Sequence, residues 1–130
     1  NWYGVTDAAV EKAKTIAGDD YVILLVDMYG RGVRPANPDE AGKAAGAVYA
    51  DRAGMRERIN AALATLRGLE GAPLAKDDIG AIGFCFGGAT VLELARSGAD
   101  VAGVASFHGA LNTSAPAAAG AIRTSVLVMN

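Results

Sequence analysis

Ile79-Gly80-Ala81-Ile82-Gly83-Phe84-Cys85-Phe86-Gly87-Gly88-Ala89 is the stretch whose reading decides the fold of this chain. Its first half is short, apolar and β-branched, which reads as a strand, and it runs without an intervening loop into the helical stretch Ala89-Thr90-Val91-Leu92-Glu93-Leu94-Ala95-Arg96. The only cysteine of the chain stands at the tip of the turn, with a glycine two residues before it and another two residues after. This is the spacing of the nucleophile elbow G-x-S-x-G, with a thiol in place of the hydroxyl. A free cysteine elsewhere is usually a small hydrophobe. A phosphate-binding glycine turn would need the G-x-G-x-x-G spacing or the lysine of a P-loop, and this stretch has neither. The tip of a glycine-flanked strand-turn-helix therefore marks Cys85 as a candidate nucleophile.

Upstream, Ala9, Val10, Ala13, Ile16 and Ala17 fall at helical spacing, with Thr6 or Asp7 as N-cap and Gly18 as stop. Tyr21 to Asp27 is a continuous apolar run ending in an acid, the pattern of a central strand buried on both faces of a parallel sheet. Met28 to Pro38 is rich in Gly, Pro and Arg and reads as a loop. Its Arg31 and Arg34 read as solvated loop residues, with an anionic substrate as the alternative. Asp27 precedes the elbow and reads as a holder of that loop. Asp39 is the expected cap of a long helical tract to about Glu70, broken or bent near Gly54, with Ile59, Ala62, Leu63 and Leu66 on its buried face.

Downstream, the helix after the elbow is expected to end near Ser97-Gly98. Val101 to Phe107 reads as a strand ending at His108-Gly109, Ala115 to Gly120 as a loop, and Thr124 to Asn130 as one more strand. Alternating strands and helices predict a parallel sheet with helices on both faces. No repeat or linker divides the chain, so residues 1–130 read as a single domain. Both ends read as interior to a longer protein, because the aromatic opening looks like a loop after a strand and the last strand has nothing to cover it.

Composition narrows the function classes. The chain has 130 residues, 52% hydrophobic and 20% charged, a globular balance. A net charge of −2 supplies no basic field for nucleic acid. No apolar run approaches a membrane span of about 20 residues, and neither a span nor a signal peptide is expected from these residues. One cysteine makes no internal disulfide, and a lone thiol fits a reducing compartment, so the cytoplasm is the expected location. One cysteine and one histidine do not provide a structural zinc site.

With these elements placed, the chain resembles the dienelactone hydrolase family of α/β-hydrolases over essentially its whole length. The resemblance is carried by Asn1-Trp2-Tyr3-Gly4, Asp27-Met28-Tyr29-Gly30, Gly83-Phe84-Cys85-Phe86-Gly87-Gly88 and Ser106-Phe107-His108-Gly109. It implies an α/β-hydrolase-like three-layer sandwich with a mostly parallel sheet, incomplete at both ends. It also implies cleavage of a small ester, lactone or related acyl compound, with Cys85 attacking the carbonyl to give an acyl-enzyme that water hydrolyses. The backbone amides of Phe86 and Trp2 would form the oxyanion hole, and Asn1, Tyr3 and His108 would line the pocket. Without the resemblance, Trp2 and Tyr3 read equally well as core aromatics. No cofactor or metal is implied; the expected partner is a small-molecule ester or lactone, with no nucleic acid and no membrane, and the oligomeric state is left open. The physics agrees, because a helix N-terminus favours negative charge on the sulfur, and Gly83 and Gly87 would let the turn close.

The departures bear on the substrate. The family's glutamate, which engages the resting cysteine, falls at Asn1, and no arginine stands between Glu40 and Ala45 to hold a substrate carboxylate. A dienelactone itself is therefore not implied. In this fold the triad acid and histidine follow later strands, in the order nucleophile, acid, histidine. Both are expected beyond Asn130, and the 130 residues alone are expected to be inactive. His108 comes too early in the chain for the base and reads as a pocket or packing residue. Two rival readings stand beside the hydrolase: a non-catalytic binding or scaffold protein that kept the fold, and a redox-sensing cysteine protein.

Overall fold

The computed structural model describes residues 1–130. Helix α1, Asp7–Ala17, starts where Thr6 accepts the Ala9 amide proton at 3.2 Å and ends at Gly18, whose φ of 50° turns the chain out while its N–H closes on Lys14. Helix α2, Pro38–Ala50, begins ahead of the expected cap at Asp39. Asn37 accepts the Glu40 amide at 3.0 Å while the Glu40 carboxylate reaches back to the Asn37 side chain and the Ala36 amide, a reciprocal cap with proline at the first helical position.

The expected long tract is two helices. It breaks at Asp51, which accepts the Gly54 amide at 2.9 Å and so caps α3, Arg52–Arg67. The break expected near Gly54 thus falls at Asp51. A Cβ on Gly54 would lie 2.2 Å from the Asp51 carboxylate, so its missing side chain makes room for the cap. The helix stops at Gly68, short of Glu70.

Three parallel strands form the sheet in the order β1-β2-β3: β1, Gly80–Phe84; β2, Gly103–Phe107; β3, Ser125–Met129. Helix α4, Phe86–Arg96, follows β1 with only Cys85 between them. It lies on the face that carries Gly83, Val104 and Ser106, and its own Val91, Leu94 and Ala95 close over Met55 and Ile59 of α3 and Val104 of β2. Each buried Val, Leu, Ile or Met side chain among them contributes about 1.5–3 kcal/mol. Side chains alternate across a strand, so Phe84 and Phe107 point to the other face. There their rings stack at 4.7 Å and Lys12 of α1 lies 4.6 Å above Phe84.

Tyr21 to Asp27, read above as a central strand, is not part of the sheet. Apolar composition alone does not make a strand: the ladder needs a neighbouring backbone, and none of β1, β2 or β3 pairs with this segment. Tyr21 is consequently 71% exposed, whereas Met28 just beyond the segment is buried in the core. No helix is long and apolar enough to cross a membrane.

Candidate active site

Cys85 connects β1 to α4 with φ 55° and ψ −118°, a conformation that L-residues avoid and that costs of order 1–3 kcal/mol. It is held there from both sides. Its amide donates to the Phe107 carbonyl at 2.9 Å, extending the β1–β2 ladder by one bond, and its carbonyl accepts the Ala89 amide at 3.1 Å, opening the helix. The thiol is free and exposed, above the carboxyl end of the sheet. The first amides of α4 have no intrahelical acceptor, so they offer donors and a positive dipole end beside the sulfur.

The elbow glycines differ in their reasons. A Cβ on Gly83 would lie 2.0 Å from the Gly87 carbonyl oxygen, a backbone clash, whereas a Cβ on Gly87 would meet only the Asn1 nitrogen at 3.7 Å. Of the two glycines expected to close the turn, only Gly83 is sterically required. Gly88 and Gly109 carry a second close approach, where α4 crosses the end of β2: a Cβ on Gly109 would lie 2.6 Å from the Gly88 carbonyl carbon. Gly83→Ala should therefore cost about 1–3 kcal/mol, the usual cost of forcing atoms into a packed site. Gly87→Ala, inside a helix with room for the methyl, should be neutral or gain up to about 1 kcal/mol. Urea unfolding of the two variants measures the contrast.

The Asn1 loop meets the elbow, its first nitrogen lying beside Gly87. The Asn1 side chain accepts the Tyr3 amide at 2.9 Å, and the Trp2 carbonyl accepts the Tyr29 hydroxyl at 2.7 Å. Trp2 packs against the core and stands edge-on to Tyr3. Trp2, placed in the oxyanion hole by resemblance, and Phe86 thus stand on the two segments that converge at Cys85.

Asp27 fastens the next loop, accepting the Tyr29 and Gly30 amides at 3.0 and 3.1 Å and pairing with Arg34 at 3.0 Å. Burial pushes its carboxyl up, but these hydrogen bonds and the Arg34 charge outweigh it and hold the group below the usual range. Arg34 is engaged with Asp27 and the loop carbonyls, while Arg31 is exposed.

His108 ends β2 as Cys85 ends β1, and it is the other non-glycine residue with positive φ, at 41°. Its amide donates to the Met129 carbonyl at 2.7 Å, and its side chain is exposed. No hydrogen bond joins it to Cys85.

Two features have no counterpart in the reading from sequence. Tyr29 and Tyr49 flank the Phe86 ring, each with its centroid 5.3 Å away. Burial raises both phenols, Tyr29 to about 12; the neighbouring Tyr49 and Cys85 add to the effect on Tyr29, and Cys85 adds to it on Tyr49. Second, Glu93 of α4 is fully buried against three arginines: Arg56 at 2.7 Å, Arg96 at 2.9 Å and Arg52 at 4.0 Å. These arginines donate to the carbonyls of Ala115, Leu111 and Asn112, pinning the loop that follows His108. Arg52 also lies 4.6 Å from the Tyr49 ring, which links the ion cluster to Phe86. The sequence signal was present in Val91-Leu92-Glu93-Leu94-Ala95: a helix apolar on all sides is buried, and a carboxylate inside it needs partners.

A groove of about 340 Å³ lies between α2, α3 and the loop after Met28, and Tyr29 and Arg58 are among its walls, but Cys85 is not. No three His, Cys, Asp or Glu side chains converge as a metal site.

Comparison with known proteins agrees with this geometry. A family model described as "Dienelactone hydrolase family" matches residues 1–130. The solved structure named m3DLH is 38% identical, with a TM-score of 0.86, and the match covers 98% of this chain and 52% of that one. The crystal structure of a dienelactone hydrolase-like promiscuous phosphotriesterase, P91, from metagenomic libraries is 37% identical, with a TM-score of 0.83 and the same coverage of 98% and 52%. The chain thus spans about half the length of these solved relatives. No curated protein matches it. With the family model matched from end to end and the strand-elbow-helix in place as an incomplete α/β-hydrolase fold, this chain belongs to the dienelactone hydrolase family.

Proposed function

We propose that the protein is a hydrolase that cleaves a small ester, lactone or related acyl compound through Cys85. The observation that carries this reading is Cys85 itself, at positive φ between a parallel strand and a helix N-terminus with its thiol exposed. The sulfur lone pair attacks the carbonyl carbon, and the carbonyl π electrons move to oxygen, where the Phe86 and Trp2 amides would meet the negative charge. Collapse of the tetrahedral species expels the alcohol and leaves a thioester. Water then attacks the thioester, releasing the acid and returning the thiolate. The triad acid and the histidine base belong, in this reading, to sequence beyond Asn130. Asn1, Tyr3 and His108 line the substrate pocket. A single unpaired thiol suits a reducing, cytoplasmic setting.

A chromogenic short-chain ester, mixed with the full-length protein and quenched within the first turnovers, should leave an acyl group on the peptide that contains Cys85. Because one relative is described as a promiscuous phosphotriesterase, a chromogenic phosphotriester is assayed beside the ester. Turnover without an adduct on Cys85 would overturn the assignment. Binding without turnover would favour a scaffold, and oxidation of the thiol without turnover a redox sensor.

A further inference from the structure

The Trp2–Tyr3 peptide is held from both sides. Its carbonyl accepts the Tyr29 hydroxyl at 2.7 Å, and its N–H donates to the Asn1 side chain at 2.9 Å. Fixing that plane restricts rotation of the Asn1–Trp2 peptide before it, whose N–H is the candidate oxyanion donor. The Tyr29 ring packs against Phe86 at 5.3 Å and 30°, and the Phe86 amide is the other candidate donor. One side chain therefore touches both halves of the oxyanion hole. Tyr29 is itself anchored, because Asp27 accepts its amide and that of Gly30 while Arg34 holds the second carboxylate oxygen. Gly4 completes the fit: a Cβ there would press to 3.2 Å on the Tyr29 ring.

We propose that Tyr29 is a positioning residue of the oxyanion hole, its hydroxyl holding the Trp2 loop against the elbow while its ring seats Phe86. The proposal rests on Cys85 being the nucleophile. With its phenol raised to about 12 by burial, by Tyr49 and by Cys85, Tyr29 remains a hydrogen-bond donor at neutral pH. An oxyanion hole acts only on reactions that develop an oxyanion. Ester acylation of Cys85 does; alkylation of the same sulfur by iodoacetamide, a displacement at a saturated carbon, does not.

Tyr29→Phe keeps the ring and removes the hydroxyl. In the full-length protein it should slow acylation of Cys85 by a chromogenic ester about tenfold, the usual scale for one lost hydrogen bond that fixes geometry, with KM nearly unchanged. Iodoacetamide should alkylate Cys85 at the wild-type rate. Asn1→Ala, which removes the acceptor on the other side of the same peptide, should show the same split and decides the matter if Tyr29→Phe does not fold. Equal slowing of both reactions, or of neither, overturns the positioning role. If the wild-type protein forms no acyl-Cys85 at all, the nucleophile assignment has failed instead.

Discussion

Cys85→Ala should lower kcat for ester hydrolysis by at least about 10³-fold in the full-length protein, the scale seen when a covalent nucleophile is deleted and only binding and oxyanion donors remain. The change is clean because the side chain is exposed and the thiol makes no hydrogen bond, so its loss removes little packing. Alanine meets the same strain at φ 55°, and the amide bond to Phe107 and the carbonyl bond from Ala89 belong to the backbone and survive. Stability should therefore move by no more than about 0.5 kcal/mol, as for surface substitutions generally. KM should stay near its wild-type value, since the backbone donors and the surrounding aromatics are untouched. Steady-state kinetics and urea unfolding on the same preparation separate the two effects. A variant that kept a tenth or more of the wild-type rate would mean that water is activated directly elsewhere in the site.

Much of the elbow was legible in sequence because it depends on local constraints. A glycine must stand where Gly83 meets the Gly87 carbonyl, a strand must precede it, and a helix must follow. The same holds for α1, where Thr6 and Gly18 mark both ends, and for β2 and β3, which form where the apolar runs stand. Features set by distant partners were not legible. Tyr21 to Asp27 has the composition of a strand but no neighbour to pair with, and composition does not carry that information. Within helices, the exact boundaries were set by capping side chains competing with one another. Asn37 takes the cap from Asp39 because Glu40 can close on it reciprocally, and Asp51 breaks the tract three residues before the glycine whose amide hydrogen bond it accepts. In the site, Asp27 was read as the holder of its loop, but the reach of the neighbouring Tyr29 to Trp2 spans 27 positions of sequence, and no spacing rule contains it.

Glu93→Gln should destabilise the protein by about 3–5 kcal/mol, the cost of leaving buried partner charges uncompensated. Glutamine fills the same volume, so the loss reports charge rather than a cavity. Arg52, Arg56 and Arg96 would face one another without their carboxylate, and Arg52, 8% exposed with its Nε already unpartnered, has the least access to water. The same pair of proteins fixes the pH dependence. Burial pushes the Glu93 carboxyl up, but hydrogen bonds from Thr113, Arg56 and Arg96 and the Arg56 charge prevail, so it lies below the usual 4.5. A carboxyl that is more acidic in the folded state makes the unfolded chain the stronger proton binder in acid. Its contribution is complete above about pH 4.5 and is lost as pH falls through the lowered value. Wild-type stability should therefore decline on the acid side, and Glu93→Gln should flatten that limb, leaving what Asp27 contributes in the same direction. Because the three arginines hold the loop after His108 through its carbonyls, the variant should also expose the Leu111, Asn112 and Ala115 region to proteolysis before global unfolding. An unchanged acid limb together with an unchanged cleavage pattern would show that the arginines find other acceptors and that the cluster is not what fastens this loop.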